Sequence, residues 1–281
     1  MSVTGATAQV SPAAAQQGRP AGFGHILISE WTKIRSVRST VWSLIIYVVL
    51  TIGLSALLTW ATVHAVETGR APRRAAALAD PSALILHTGL LLGQLAIAVL
   101  GVLVMTSEYS TGVIRASLLA VPRRLNVLVA KCVVFAVLIL VIAQIVTFCS
   151  FFIGAAIVHP VIVVSLSQPG VTRAVIGTGL YLTVLGLFAL AIGALIRHTA
   201  GGISIVIGLV LVVGNLLGLL DPYSWGKDVH SWFPTIAGSF ITSVQPQDFQ
   251  TLSPWQGLGV FCGWTVLLLA IGGYLLRRRD A

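Results

Sequence analysis

The sequence predicts an all-α integral membrane protein of six transmembrane helices, and three observations carry that reading. Of the 281 residues, 57% are hydrophobic and 9% are charged, and mean hydropathy is +0.97, a balance foreign to soluble domains. Uncharged runs near the roughly 20 residues that a helix needs to cross a bilayer recur at about 40–62, 83–106, 132–158, 174–196, 201–220 and 255–276. Within them, stretches such as Leu90-Leu91-Leu92 and Leu209 to Val213 put apolar side chains on every face. A transmembrane barrel needs alternating polarity instead.

Residues 1–23 read as a disordered tail, because Met1 to Pro20 is mostly Ala, Gln, Ser and Thr and has neither the basic nor the apolar region of a secretory signal. Residues 24–281 read as one transmembrane domain. From Gly24 to Arg38, Leu27, Trp31 and Ile34 share one helical face, with Glu30 beside them and Lys33, Arg35 and Arg38 following. That pattern predicts an N-terminal amphipathic interface helix in the headgroup layer, with Trp31 as its anchor and its cations toward anionic lipid or a partner. The same cations also fit an ordinary positively charged flank of the first span.

Between the second and third spans lies a compact charged segment, Ser107-Glu108-Tyr109-Ser110-Thr111-Gly112-Val113-Ile114-Arg115, continuing to Val121-Pro122-Arg123-Arg124. Ser110 and Thr111 can cap a short helix from Val113 to Ala120 that Pro122 ends. Thr111 and Arg115 then stand one turn apart, and Glu108 joins them if the turn continues backwards. Arg123, Arg124 and Lys131 are expected to hold the return end to lipid headgroups. A plain basic loop is the alternative, but it requires no Glu-Tyr-Ser-Thr-Gly order.

The connection before the last span carries Tyr223, Trp225, Trp232, Phe233 and Trp255 among Pro222, Pro234, Pro246 and Pro254. This composition predicts short proline-bounded helices that dip into the bundle from the outer interface, serving either as an aromatic belt or as a gate. Gly89 and Gly93, and likewise Gly214 and Gly218, are spaced for close helix contact, within the chain or between copies.

The net charge of +9 raises the question of nucleic acid, and its distribution answers it. With the N-terminus inside, eleven cations flank spans on the inner side and five on the outer, which satisfies the positive-inside rule and places both termini in the cytoplasm. Arg70, Arg73 and Arg74 are the cluster that opposes this orientation. Cys132, Cys149 and Cys262 lie in or at the edge of spans and read as small hydrophobes rather than a disulfide framework.

Catalytic patterns do not emerge. The six histidines are scattered, and neither a His-Glu-x-x-His site nor a Gly-x-Ser-x-Gly nucleophile is present. None of the three lysines has the lead and follower of a phosphate-binding loop; Gly226-Lys227 is followed by Asp228. The chain reads as a non-enzyme without its own ATP site.

On these residues the chain resembles the permease subunits of type-2 ATP-binding-cassette (ABC) exporters of high-GC Gram-positive bacteria. The resemblance lies in Ser29 to Thr40, in Glu108 to Arg115 with Val121 to Arg124, and in Phe233-Pro234-Thr235-Ile236-Ala237-Gly238, where the family more often has a Leu-Pro-Ser-Asn-Ala-Gly-like sequence. It implies a six-span permease in the bacterial cell membrane that pairs with a second permease copy or paralogue and with a separate ABC ATPase subunit, which holds ATP and Mg. It further implies that Glu108, Tyr109, Thr111, Gly112, Arg115, Pro122, Arg123 and Arg124 form a cytoplasmic coupling helix and its return. Glu30, Trp31, Lys33 and Arg35 then belong to the interface helix. The apolar spans fit a hydrophobic or amphipathic cargo: drugs, peptides or lipids. The competing expectation is a non-transporting accessory or anchor subunit of a regulatory complex.

Overall fold

The computed structural model describes residues 22–69, 78, 80–110 and 124–279. Most of the expected tail, the helix expected from Val113 to Ala120 and the Arg70 to Arg74 cluster lie outside the described residues. Helix α1 (Phe23–Ser36) precedes α2 (Arg38–Glu67), α3 (Pro81–Ser110), α4 (Arg124–Val158) and α5 (Val171–Ile196). A helical rod, α6 (Thr199–Leu220), follows, then α7 (Ser224–Trp232), α8 (Pro234–Ser239) and α9 (Pro254–Arg279). Six of these helices, α2 to α6 and α9, are long and apolar enough to span a membrane.

Helices α3 and α5 form the centre. Tyr181, Leu182, Leu185, Ala189 and Leu190 of α5 are at most 2% exposed, as are Ile97, Ala98, Leu100 and Val102 of α3. The rings of Tyr181 and Phe188 close on Phe261 of α9 at 5.8 and 5.4 Å between centroids.

Helix α2 has the opposite pattern from a soluble helix. Val41, Trp42, Ile45, Ile46, Val49, Leu57 and Trp60 face outward, while Tyr47, Thr51, Ser55 and Thr59, each one helical turn from the next, are buried. Lipid tails are as apolar as leucine, so nothing drives the large side chains inward, and small hydroxylated residues let the backbones approach. Gly89 and Gly93 of α3 are the other half of this contact. A Cβ on Gly89 would lie 2.6 Å from the Thr51 carbonyl oxygen, and one on Gly93 would run into the Thr51 hydroxyl. The spacing of these glycines therefore serves packing within the chain.

The helices overrun the apolar windows at their charged ends. The largest overrun is at α4, which begins at Arg124, eight residues before its window. Helix α3 continues through Ser110, so Ser110 is a helical residue, while the helix it is expected to cap lies outside the described residues. In α6 the ladder widens to a π-helix over Gly208–Val213.

Pro234 stands in the first turn of α8, where its missing N–H costs nothing. Helix α8 and the 3₁₀ turn Phe240–Thr242 bury Thr235, Ala237, Gly238, Phe240 and Ile241 against α5 and α9. Arg173 secures this re-entrant piece by donating to the carbonyls of Ser243 at 2.7 Å and Val244 at 3.2 Å.

Candidate functional site

At one end of the bundle, α1 lies across the start of α4, with Ile26 packed on Val127 and Ala130. Its buried stripe is Ile26, Glu30 and Ile34, one turn apart each, which turns Glu30 toward the bundle and leaves Trp31, of the Leu27, Trp31 and Ile34 face, on the surface. Trp31 is 45% exposed. The carboxylate turns inward because a cation waits there.

That cation is Lys131, in the second turn of α4. Its ammonium donates to Glu30 Oε2 at 2.6 Å and to Glu108 Oε1, near the end of α3, at 2.7 Å. Lys33, one turn along α1 from Glu30, reaches Glu30 Oε1 at 2.6 Å and Glu108 Oε1 at 3.5 Å. Two cations and two anions thus close a neutral cluster that ties α1 to the ends of α3 and α4. The side chains of Glu30 and Lys131 are 1% and 3% exposed, Glu108 11%, and Lys33, on the outer side, 30%.

Burial alone would depress the Lys33 ammonium, but the hydrogen bond it donates to Glu30 and the charges of Glu108 and Glu30 outweigh it. The Lys33 pKa therefore sits above the ordinary lysine value. Deep charges such as Glu30 and Lys131 are tolerated because each is matched and hydrogen-bonded.

Neighbouring contacts extend the junction. The Arg197 guanidinium, just past α5, lies 5.1 Å from the centre of the Tyr109 ring. Arg197 adopts a left-handed backbone (φ 59°) as it ends α5, a position that glycine usually fills. Thr199, opening α6, donates to the Thr106 hydroxyl at 3.0 Å. Beside the charge cluster, a cavity of about 300 Å³ opens between the α1–α2 elbow at Val37 and Thr40 and the α3 residues Leu103, Val104 and Ser107.

Of the residues singled out in the sequence, Glu30, Lys33 and Glu108 meet in this cluster, and Tyr109 packs beside it. Trp31 and Arg35 are exposed on the far side of α1. Arg124 is the first residue of α4. Thr111, Gly112, Arg115, Pro122 and Arg123 lie outside the described residues. Lys131, expected at the headgroups, is instead the hub. One signal for it was on the page: it interrupts an otherwise apolar stretch from Val127 to Val137, and a lone charge in such a stretch needs a partner. Arg197 is one of the eleven cations on the expected inner side, and nothing in its spacing points to Tyr109.

The cluster is a junction between helices. It fixes three helix ends to one another, and the segment 111–123 leaves from α3 three residues after Glu108 and re-enters through α4. Any force on that segment reaches α1, α3 and α4 together. Among the described residues, no group of three or more His, Cys, Asp or Glu is placed to hold a metal. No protein-family model and no curated protein matches this chain.

Proposed function

We propose that this chain is the membrane-spanning permease subunit of an ATP-driven ABC exporter. A separate ATPase subunit, carrying ATP and Mg, docks on the segment 111–123 and on α1 from the cytoplasm. Closure of that ATPase moves α3 and α4, and a second permease copy or paralogue completes the pathway for a hydrophobic or amphipathic cargo. The observation that carries this reading is the Glu30–Lys131–Glu108 cluster. A charged joint between three helices, set where the connection 111–123 departs from α3 and returns through α4, is what a subunit driven from outside requires.

The test is purification of the tagged protein in mild detergent from its native cells, with mass spectrometry of its companions. A stoichiometric ABC ATPase that is lost in Arg115→Glu supports the reading. If no ATPase accompanies the protein under conditions that preserve other membrane complexes, the exporter assignment fails and an accessory or anchor subunit replaces it.

A further inference from the structure

The half of the bundle remote from the charge cluster holds a second cavity, of about 380 Å³. Gln94 in its wall and Glu108 are fourteen residues apart on α3, and His87, also in the wall, lies seven residues further; at the helical rise of 1.5 Å per residue these are about 21 and about 31 Å from Glu108, so the cavity runs from inside the membrane-spanning section to its far surface. His87 and Gln94 of α3, Tyr181 of α5, Asn215 of α6, Thr235 of α8 and Gln247 in the following connection all reach it. Polar side chains at this depth line a functional cavity by default, because lipid offers them nothing.

Several of these groups are set up for a ligand. The Tyr181 hydroxyl donates to Gln94 Oε1 at 2.9 Å, which leaves the Gln94 amide group as a donor. Thr235 is 3% exposed, and its hydroxyl has no partner among the described residues. A buried hydroxyl is costly until something completes it. The π-helical stretch of α6 supplies Val210 to the same wall, and such widened turns gather at functional sites.

The chemistry of the wall selects the ligand. Among the described residues, no Lys, Arg, Asp or Glu lines the cavity. Its ionisable side chains are Tyr181, His87 and His230, and His230 is engaged by Asp221 at 2.8 Å. A phosphate, carboxylate or ammonium would find no Lys, Arg, Asp or Glu in this wall, whereas hydroxyls and amides meet both donors and acceptors. Leu91 lines the cavity and is also 54% exposed, so the cavity opens sideways toward lipid.

We propose that this cavity binds the neutral, hydroxyl-rich headgroup of a glycosylated lipid, with its tails leaving past Leu91 into the bilayer. Assigning that lipid as cargo rests on the exporter reading; its binding does not. The test uses the full-length protein, with whatever ATPase accompanies it, in phosphatidylcholine nanodiscs. The probes are a monoglucosyl diacylglycerol and a phosphatidylglycerol, each with the same diazirine-bearing acyl chain.

The glucosyl probe is expected to label peptides containing Leu91 and Asn215, and phosphatidylglycerol only the outward faces such as Ile45 and Val49. Thr235→Val should lower the cavity labelling about five- to tenfold, the effect of one lost hydrogen bond, without lowering thermal stability, since the removed hydroxyl has no partner among the described residues. Ser239→Ala, at the same wall, gives a second reading if Thr235→Val does not fold. Equal cavity labelling by both probes, no cavity labelling, or undiminished labelling of both variants overturns the proposal and leaves a hydrated cavity only. Cavity labelling without a co-purifying ATPase keeps the glycolipid site and discards the exporter; an ATPase without cavity labelling does the reverse.

Discussion

Lys131 and Glu30 are 101 residues apart in sequence and 2.6 Å apart in space, and neither side chain is more than 3% exposed. The pair joins α1 to the bundle between two apolar contacts, the patch of Ile26, Val127 and Ala130 on one side and Ile34, buried in the main core, on the other.

Lys131→Met leaves Glu30 and Glu108 facing each other without their shared cation. Stranding a buried charge in this way costs about 3–5 kcal/mol. Replacing both acids as well, in Lys131→Met with Glu30→Gln and Glu108→Gln, removes the stranded charges and should restore most of that loss. Thermal unfolding in detergent of the single and combined variants checks this. A combined variant as unstable as Lys131→Met would mean that the cluster is not the source of the effect.

Lys33 contributes less and in a defined pH window. It is partly exposed, so Lys33→Met should cost no more than about 1 kcal/mol at neutral pH. Because its folded pKa is raised above the ordinary value of 10.5, the contribution is complete below that value and fades as pH rises through the higher folded pKa. The stability difference between wild type and Lys33→Met should therefore stay constant from pH 7 to 9 and shrink only above pH 10.5. A difference that fades between pH 7 and 9 would place the Lys33 interaction elsewhere.

The contrast between spans and site shows what sequence can carry. Every span was legible because apolar composition is a local property, summed over a window. The start of α4 was not, since a window ends at its first charge and Lys131 is that charge. Its partners come from α1 and α3, and no spacing in one dimension encodes that meeting. The inward turn of Glu30 was hidden for the same reason: the cation it meets comes from a different element. The buried Tyr47, Thr51, Ser55 and Thr59 stripe of α2 repeats every four residues and was open to reading, but hydropathy weights polar residues as outward-facing, which is wrong where the outside is lipid.

Gly89→Val should damage folding without changing oligomeric state. The added side chain meets the Thr51 carbonyl at 2.6 Å, and backbone cannot step aside as a rotamer does, so overpacking of about 1–3 kcal/mol is expected. Unfolding in detergent reads the loss, and light scattering on the folded fraction reads the assembly. Dissociation of an oligomer with undiminished unfolding temperature would reassign Gly89 to an interface between copies.

The direction of the whole assembly can be tested at two exposed serines that the fold puts on opposite ends. Ser36 closes α1 beside the charge cluster, whereas Ser167 lies in the connection between α4 and α5 at the far end of α4. The proposed orientation, which follows the excess of cations flanking the Ser36 end, has that end facing the cytoplasm. In intact cells, a membrane-impermeant maleimide should label Ser167→Cys and spare Ser36→Cys until the cells are opened. Substituting Cys132, Cys149 and Cys262 by Ala first removes the background from the native free thiols. The opposite labelling would put α1 and the segment 111–123 outside the cell, beyond reach of any ATP-hydrolysing partner, and the charge cluster would then be an anchor for an extracellular rather than a cytoplasmic load.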